Sequence, residues 1–191
     1  MVYLKTDEEV ELLRSANLLV GKTLAELAKV IEPGVTTKQL DKIAETFIRD
    51  NGAIPTFLGF PNPYGAPFPA SICTSVNSQV VHGIPNDTPL EEGDIVSIDC
   101  GTQLDGYCGD SCYTFAVGEI SEDVKKLLET TKESLYKGIE QAVVYRYDLV
   151  SGSVPQKCRR GIFRHLLFAG QIGKVLRRLR RTAGKVYKAA L

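Results

Sequence analysis

The chain has 191 residues, 43% of them hydrophobic, and a mean hydropathy of −0.06, which is typical of a single globular domain. The formal net charge of zero averages two unlike segments, because residues 1–144 carry 11 Lys+Arg and 22 Asp+Glu whereas residues 145–191 carry 12 Lys+Arg and one acid. No run approaches the ~18 apolar residues of a membrane span, and the acidic start MVYLKTDEEVELL lacks the apolar core of a signal peptide.

Two amphipathic helices are predicted at the start of the chain. Thr6 and Glu9 form a capping box that begins the first helix, and the tripeptide EPG ends it. Thr36 or Thr37 begins the second helix, which an Asn-Gly pair closes. The residues expected to face inward are Val10, Leu13, Leu19, Leu24, Leu27 and Ile31 in the first helix, and Leu40, Ile43, Ala44, Phe47 and Ile48 in the second.

The remaining elements predict an α+β fold. A loop rich in proline and aromatic residues occupies residues 55–69, and strands are expected near residues 70–76, 79–82, 95–101 and 107–117. Ser121 is predicted to cap a third helix that runs to about Val144. We expect residues 1–144 to form one domain and residues 145–191 to be a separate basic tail.

A predicted hairpin carries two aspartates, in the stretch SIDCGTQLDGYCGDSC. Asp105–Gly106 is a signal for a two-residue turn, which would place Asp110 opposite Gly101. Because side chains alternate along a strand, Asp99 and Asp110 would then be diagonal neighbours on one face, roughly 7–8 Å apart. Two carboxylates at that separation repel each other, and a divalent cation between them would remove the repulsion.

Other interpretations of this hairpin remain open. Asp99 could hydrogen-bond a neighbouring loop, with Asp110 at a solvated edge. A thiolate zinc site is less favoured, because Cys100 and Cys112 are expected to face away from the aspartates as small buried hydrophobes. Gly101 and Gly109 are expected to leave space beside the two carboxylates. The five cysteines, odd in number and without a CxxC pair, favour a reduced, cytoplasmic protein.

His82 lies in a second candidate motif, VVHGIPND. A histidine held in a turn beside glycine and proline can reach a cleft as a ligand or proton carrier. The alternative is a structural or merely exposed loop histidine. The sequence contains one other histidine, His165 in the basic tail, so a site of three histidines is excluded.

The stretches SICTSVNSQVVHGIPND and LEEGDIVSIDCGTQLDGYCGDSCYTFAVGE resemble a type I, bacterial-type methionine aminopeptidase, from the first residues to about Val144. The resemblance implies the N-terminal half of a pita-bread fold and a dinuclear metallo-aminopeptidase that removes N-terminal methionine from new polypeptides. It implies that Asp99 and Asp110 are metal ligands and that His82 contacts the substrate near the scissile bond. It places the methionine side-chain pocket at Phe57, Phe60, Phe68 and Cys73, with a local insertion around NPYGA.

The resemblance also implies the cofactors and partners. Two divalent metal ions (Co, Mn, Fe or Zn) would serve the reaction, and N-terminal methionyl peptides would be the substrates. We further expect proximity to the ribosome, no membrane association, a monomer and a cytoplasmic location.

The sequence departs from the family after Val144. Residues 145–191 contain no glutamate, and the family's HGIG histidine and two glutamate ligands have no counterpart there. The tail is therefore interpreted as unrelated, and as poorly structured or out-of-frame, and the chain as a truncated, inactive form with incompletely bound metal. One alternative is an inactive aminopeptidase-like module that binds ribosomal RNA or another polyanion through KVLRRLRR. A proline-specific aminopeptidase is a further alternative, against which the short N-terminal part argues.

Overall fold

A computed structural model of the chain describes residues 5–63 and 65–140. The chain divides into two compact units, with the boundary between Ile120 and Ser121. The first unit contains helices α1 and α2 and a four-stranded sheet, and the second contains helix α3. In chain order the elements are α1 (Asp7–Ala28), α2 (Thr37–Asp50), β1 (Ile54–Pro55), β2 (Ile72–Val76), β3 (Ile95–Leu104), β4 (Tyr107–Ala116) and α3 (Glu122–Glu140).

Both N-terminal helices begin at capping boxes. The Thr6 hydroxyl accepts a hydrogen bond from the Glu9 N–H at 3.2 Å, and the Glu9 carboxylate accepts one from the Thr6 N–H at 2.9 Å. Thr36 and Gln39 repeat this arrangement at the start of α2. Each box satisfies amide groups that a helix start leaves without partners, so both predicted starts are confirmed.

β3 is the central strand of the sheet. It pairs antiparallel with β4 along its full length, and its other edge pairs with β2 and β1. Three of the predicted strands correspond to β2, β3 and β4. The strand expected at residues 79–82 is wrong, because Asn77 and His82 have φ values of 51° and 57° and the chain turns there. The two-residue β1 was not predicted.

The core lies between the two helices and one face of the sheet. The helices contribute Leu19, Val20, Leu24, Leu27, Leu40, Ala44 and Ile48, and the sheet contributes Ile72, Val96, Ile98 and Cys100. Two residues expected to face inward do not, since Val10 is 40% exposed and Ile43 is 36% exposed. Asp41 links α2 to the start of β2, where its carboxylate accepts hydrogen bonds from Ser71 N–H at 2.8 Å and Ile72 N–H at 3.0 Å.

Helix α3 begins one residue after Ser121, whose hydroxyl accepts a hydrogen bond from the Val124 N–H at 3.4 Å. The expected continuation to Val144 and the interpretation of residues 145–191 lie outside the described residues. Within the described part, no helix has the length and apolar character that crossing a membrane would require.

Candidate metal site

The β3–β4 hairpin has the predicted register. Asp105 and Gly106 form its turn, with φ values of 50° and 81°, and Gly101 pairs with Asp110. Asp99 pairs with Cys112 two positions further along the ladder. Since side chains alternate, Asp99 and Asp110 project from the same face, on the side away from the helices. We call this side the open face, comprising residues 97, 99 and 101 of β3 and residues 110, 112 and 114 of β4.

The two carboxyl groups interact directly. Asp99 is half-buried, and this burial raises its pKa above the ordinary value of 3.8. Asp110 raises the pKa of Asp99 further, through its negative charge and through a side-chain hydrogen bond between the two groups. The charge of His82 and a backbone hydrogen bond at Cys100 act in the opposite direction. The open face therefore holds an acidic pair with unfavourable self-repulsion, which a cation would relieve.

His82 lies in a turn attached to β2. The next residue, Gly83, accepts a hydrogen bond from Thr74 N–H at 2.8 Å and donates one to the Ser75 hydroxyl at 3.2 Å. A side chain at position 83 would collide with the Thr74 carbonyl, so glycine is required for this close approach. The turn holds His82 exposed and in the left-handed region, near enough to influence Asp99.

Two of the four expected pocket residues lie beside the aspartates. Cys73 is buried and pairs directly with Asp99 across β2 and β3. The ring of Phe57 lies over Gly101, where an added Cβ would be 2.9 Å from its Cε1. Gly101 thus admits an aromatic ring rather than leaving open space.

Phe60 and Phe68 lie in the loop before β2, joined to each other by a hydrogen bond from Phe68 N–H to the Phe60 carbonyl at 2.9 Å. Phe68 is half-buried, but Phe60 is 63% exposed. The described residues therefore place Phe57 and Cys73 at the aspartates, and leave Phe60 without the enclosure that a methionine pocket would give it.

Two expectations about the neighbouring residues need correction. Cys112 lies on the open face, because it is two residues from Asp110 and opposite Asp99. It is also exposed rather than buried. Gly109 faces α1, where an added Cβ would be 2.6 Å from the Ala16 carbonyl, so it leaves no space beside the carboxylates. Cys100 is buried on the helix side as predicted.

The thiol of Cys112 lies beside the two carboxylates. Although the residue is exposed overall, desolvation of its sulfur and the charges of Asp99 and Asp110 raise the pKa of Cys112 to about 11. The two carboxylates are the better candidates for holding a hard cation, because such cations prefer oxygen ligands.

The donor set fits a hard divalent cation only in part. Asp99 and Asp110 supply oxygen ligands from one face, as such cations prefer. Within residues 5–63 and 65–140, however, no group of three or more His, Cys, Asp or Glu side chains is arranged to hold a metal ion. The described residues therefore provide a pair of ligands rather than a closed coordination sphere.

Sequence reasoning missed one contact to the site. The Asn17 side chain on α1 accepts a hydrogen bond from the Asp110 N–H at 3.3 Å. A lone asparagine within a helix carries no signal for a contact with a residue 93 positions away. The place of Cys112, by contrast, follows from alternation along β4 and could have been predicted.

The sequence model described as metallopeptidase family M24 matches residues 11–172. The chain belongs to this family. That match covers more than half of the chain, and it ends within the basic tail.

Curated relatives and solved structures of the M24 family agree with this assignment. The chain is 54% identical over 145 residues to the methionine aminopeptidase of Clostridium acetobutylicum, covering 75% of this chain and 56% of the relative. A crystal structure of methionine aminopeptidase from Rickettsia prowazekii is similar with a TM-score of 0.68 and 40% identity, covering 73% of this chain and 54% of that one. The Xaa-Pro dipeptidase of Bacillus anthracis gives a TM-score of 0.58 and 26% identity, covering 71% and 35%.

These comparisons confirm the predicted resemblance and the α+β, pita-bread fold, of which the chain covers part. The higher identity to methionine aminopeptidases than to the Xaa-Pro dipeptidase favours the former as the nearer kind of relative. The chain spans about half the length of the curated methionine aminopeptidase that it matches.

Proposed function

We propose that this chain carries the N-terminal, carboxylate-bearing part of a metal-dependent aminopeptidase that removes methionine from the N-termini of new polypeptides. The observation that supports this proposal is that Asp99 and Asp110 share the open face, with His82 near enough to act electrostatically on Asp99. The similarity to methionine aminopeptidases gives the substrate class.

In this proposal, Asp99 and Asp110 hold divalent metal from one side. Two ions of Co, Mn, Fe or Zn, when bound, would supply Lewis-acid activation of the amide and of water. The carboxylates set the position of that charge, because the hairpin register fixes their separation. Exchange of either carboxylate for an amide would remove half of the ligands that the described residues provide.

The remaining residues orient the peptide. His82, which is exposed on its turn, would donate or accept a proton near the scissile amide. Phe57 and Cys73, together with Phe60 and Phe68, would receive the methionine side chain, since aromatic and sulfur surfaces suit a flexible thioether. N-terminal methionyl peptides are thus the proposed partners, with a cytoplasmic, monomeric chain acting near the ribosome.

We also propose that the 191-residue polypeptide binds metal weakly and does not turn over by itself. The described residues supply two carboxylate ligands, and residues 145–191 contain no glutamate that could add to them. A hydrolytic metal centre needs several fixed ligands around each ion. Polyanion binding through the tail remains a prediction, because residues 145–191 lie outside the described residues.

Calorimetric titration of the full chain with Mn²⁺ tests the proposal. We expect weak binding whose affinity falls at least about tenfold in both Asp99→Asn and Asp110→Asn. Asp105→Asn is the matched control, because it removes a carboxylate from the turn of the same hairpin. Equal affinity in all four proteins would overturn the metal site.

A second measurement addresses activity. The full chain with Mn²⁺ or Co²⁺ is expected to release no detectable methionine from a Met-Gly peptide. Release that disappears in Asp99→Asn would support the aminopeptidase assignment and show that the chain is active as it stands.

A further inference from the structure

The backbone of Asp110 faces away from the strand that pairs with it. Leu104 and Tyr107 close the two-residue turn and are a hydrogen-bonded pair, so bonding to β3 recurs at every second residue from Tyr107. Asp110 falls between these positions, and its N–H points to the outer edge of β4. Among the described strands, β3 alone pairs with β4, so the sheet ladder does not hold this amide.

Asn17 on α1 supplies the missing acceptor. Its side-chain oxygen accepts the Asp110 N–H at 3.3 Å, while its amide nitrogen donates to the Leu13 carbonyl at 2.9 Å. Because the side-chain nitrogen of Asn17 donates to the Leu13 carbonyl within α1, the side-chain oxygen is the atom that faces β4. The side chain therefore bridges the helix and the strand edge.

Close packing of α1 brings this short side chain within reach. Gly109 lies against the backbone of Ala16 and Asn17. A Cβ added to Gly109 would be only 2.6 Å from the Ala16 carbonyl. Thr102, which pairs with Gly109, donates its hydroxyl hydrogen to the Ala16 carbonyl at 3.1 Å in a buried bond. One turn of α1 thus contacts both strands immediately beside Asp110.

We infer that Asn17 is a positioning residue for Asp110, holding the backbone of this ligand so that its carboxylate stays beside Asp99 as a diagonal neighbour on the open face. The inference rests on the proposed function, because it assigns Asn17 a role in cation binding. Asp99 and Asp110 repel each other, and β4 could relieve that repulsion by moving away from β3 at its outer edge. The Asn17 bond opposes this movement at the ligand itself.

The test compares Asn17→Ala, Asn17→Asp and Ser15→Ala in the full chain. Ala removes the acceptor, and Asp retains an acceptor oxygen but cannot donate to Leu13. Ser15 is the matched control because its hydroxyl also bonds a carbonyl one turn back, that of Glu11 at 3.0 Å, and it is exposed like Asn17. Two quantities are measured, the exchange rate of the Asp110 amide hydrogen and the affinity for Mn²⁺.

Asn17→Ala is expected to speed exchange at Asp110 and to weaken Mn²⁺ binding about tenfold, as loss of an outer-shell contact does. Asn17→Asp should restore protection of the amide, and Ser15→Ala should change neither quantity. Faster exchange in Asn17→Ala with unchanged Mn²⁺ affinity would overturn the inference, as would Asn17→Ala matching Ser15→Ala throughout. If the unsubstituted chain binds no Mn²⁺, the proposed function and the inference both fail, and the exchange rate still shows whether the contact exists.

Discussion

Asp99 is an acidic residue in the middle of a strand, half-buried and close to a second carboxyl group, that of Asp110. Its raised pKa means that, without metal, the folded chain binds a proton more tightly than the unfolded chain does. Between the ordinary value of 3.8 and the raised folded value, stability therefore falls as pH rises. At pH values above the raised pKa, the full loss of stability is present. Below pH 3.8 the carboxyl is protonated in both the folded and the unfolded chain, and no stability is lost.

This sign gives a prediction for Asp99→Asn in metal-free buffer. The variant should have a higher free energy of unfolding than the unsubstituted chain at pH 7, because the amide carries no charge to bury. The advantage should shrink as the pH is lowered toward 3.8, the ordinary value for the carboxyl. Urea unfolding with a chelator present, at pH 7 and at about pH 3.5, measures the difference. The same gain at both pH values would show that repulsion at Asp99 is not the cause.

At the residue scale, the sequence predicted the acidic pair because the turn and the alternation of side chains fix which residues share a face. The same alternation places Cys112 on the face of Asp110, so the burial expected for Cys112 was wrong. Strand alternation could not predict the exposure of Phe60 or the hydrogen bond between Asn17 and Asp110. Both depend on how a loop and a helix lie against the sheet.

Among the elements, α1 and the hairpin pack with their backbones nearly in contact at Gly109. Gly109→Ala is expected to destabilise the chain by about 1–3 kcal/mol, because the added methyl group would force α1 away from β4. Gly21→Ala is the matched substitution within α1, where an added Cβ meets nothing within 4 Å. It should stabilise the helix by about 0.5–1 kcal/mol.

Thermal and urea unfolding of the two variants measure these changes side by side. The same Gly-to-Ala change is expected to lower the free energy of unfolding at position 109 and to raise it at position 21. If Gly109→Ala were as stable as the unsubstituted chain, the described contact between α1 and the hairpin would be wrong.

Helix starts were predictable at the element scale because a capping box is local, with all its atoms within four residues. The strand expected at residues 79–82 was wrong for a tertiary reason. Val80 and Val81 have strand-forming side chains, yet they are 85% and 65% exposed in a turn held by Gly83 against β2. Local propensity gave no information about that attachment.

For the whole molecule, the described hydrophobic core runs from Ala16 to Val117, within the first compact unit. A chain ending at Val144 is therefore expected to unfold at the same midpoint as the full chain and to bind Mn²⁺ equally well. Circular dichroism and calorimetry provide the two comparisons. A midpoint lower by several degrees would show that residues 145–191 contribute to stability, contrary to their interpretation as an unrelated tail.

The two-residue turn at Asp105–Gly106 has an evolutionary consequence. Adding or deleting one residue within β3 would exchange its two faces, moving Asp99 toward the helices and Ile98 toward water, and the same change within β4 would move Asp110 toward the helices. In the loop between Phe60 and Phe68, whose described residues are exposed, a change of one residue in length reverses no strand face. Length variation among descendants of this sequence should therefore accumulate in that loop and be purged from the hairpin, whatever happens to individual side chains.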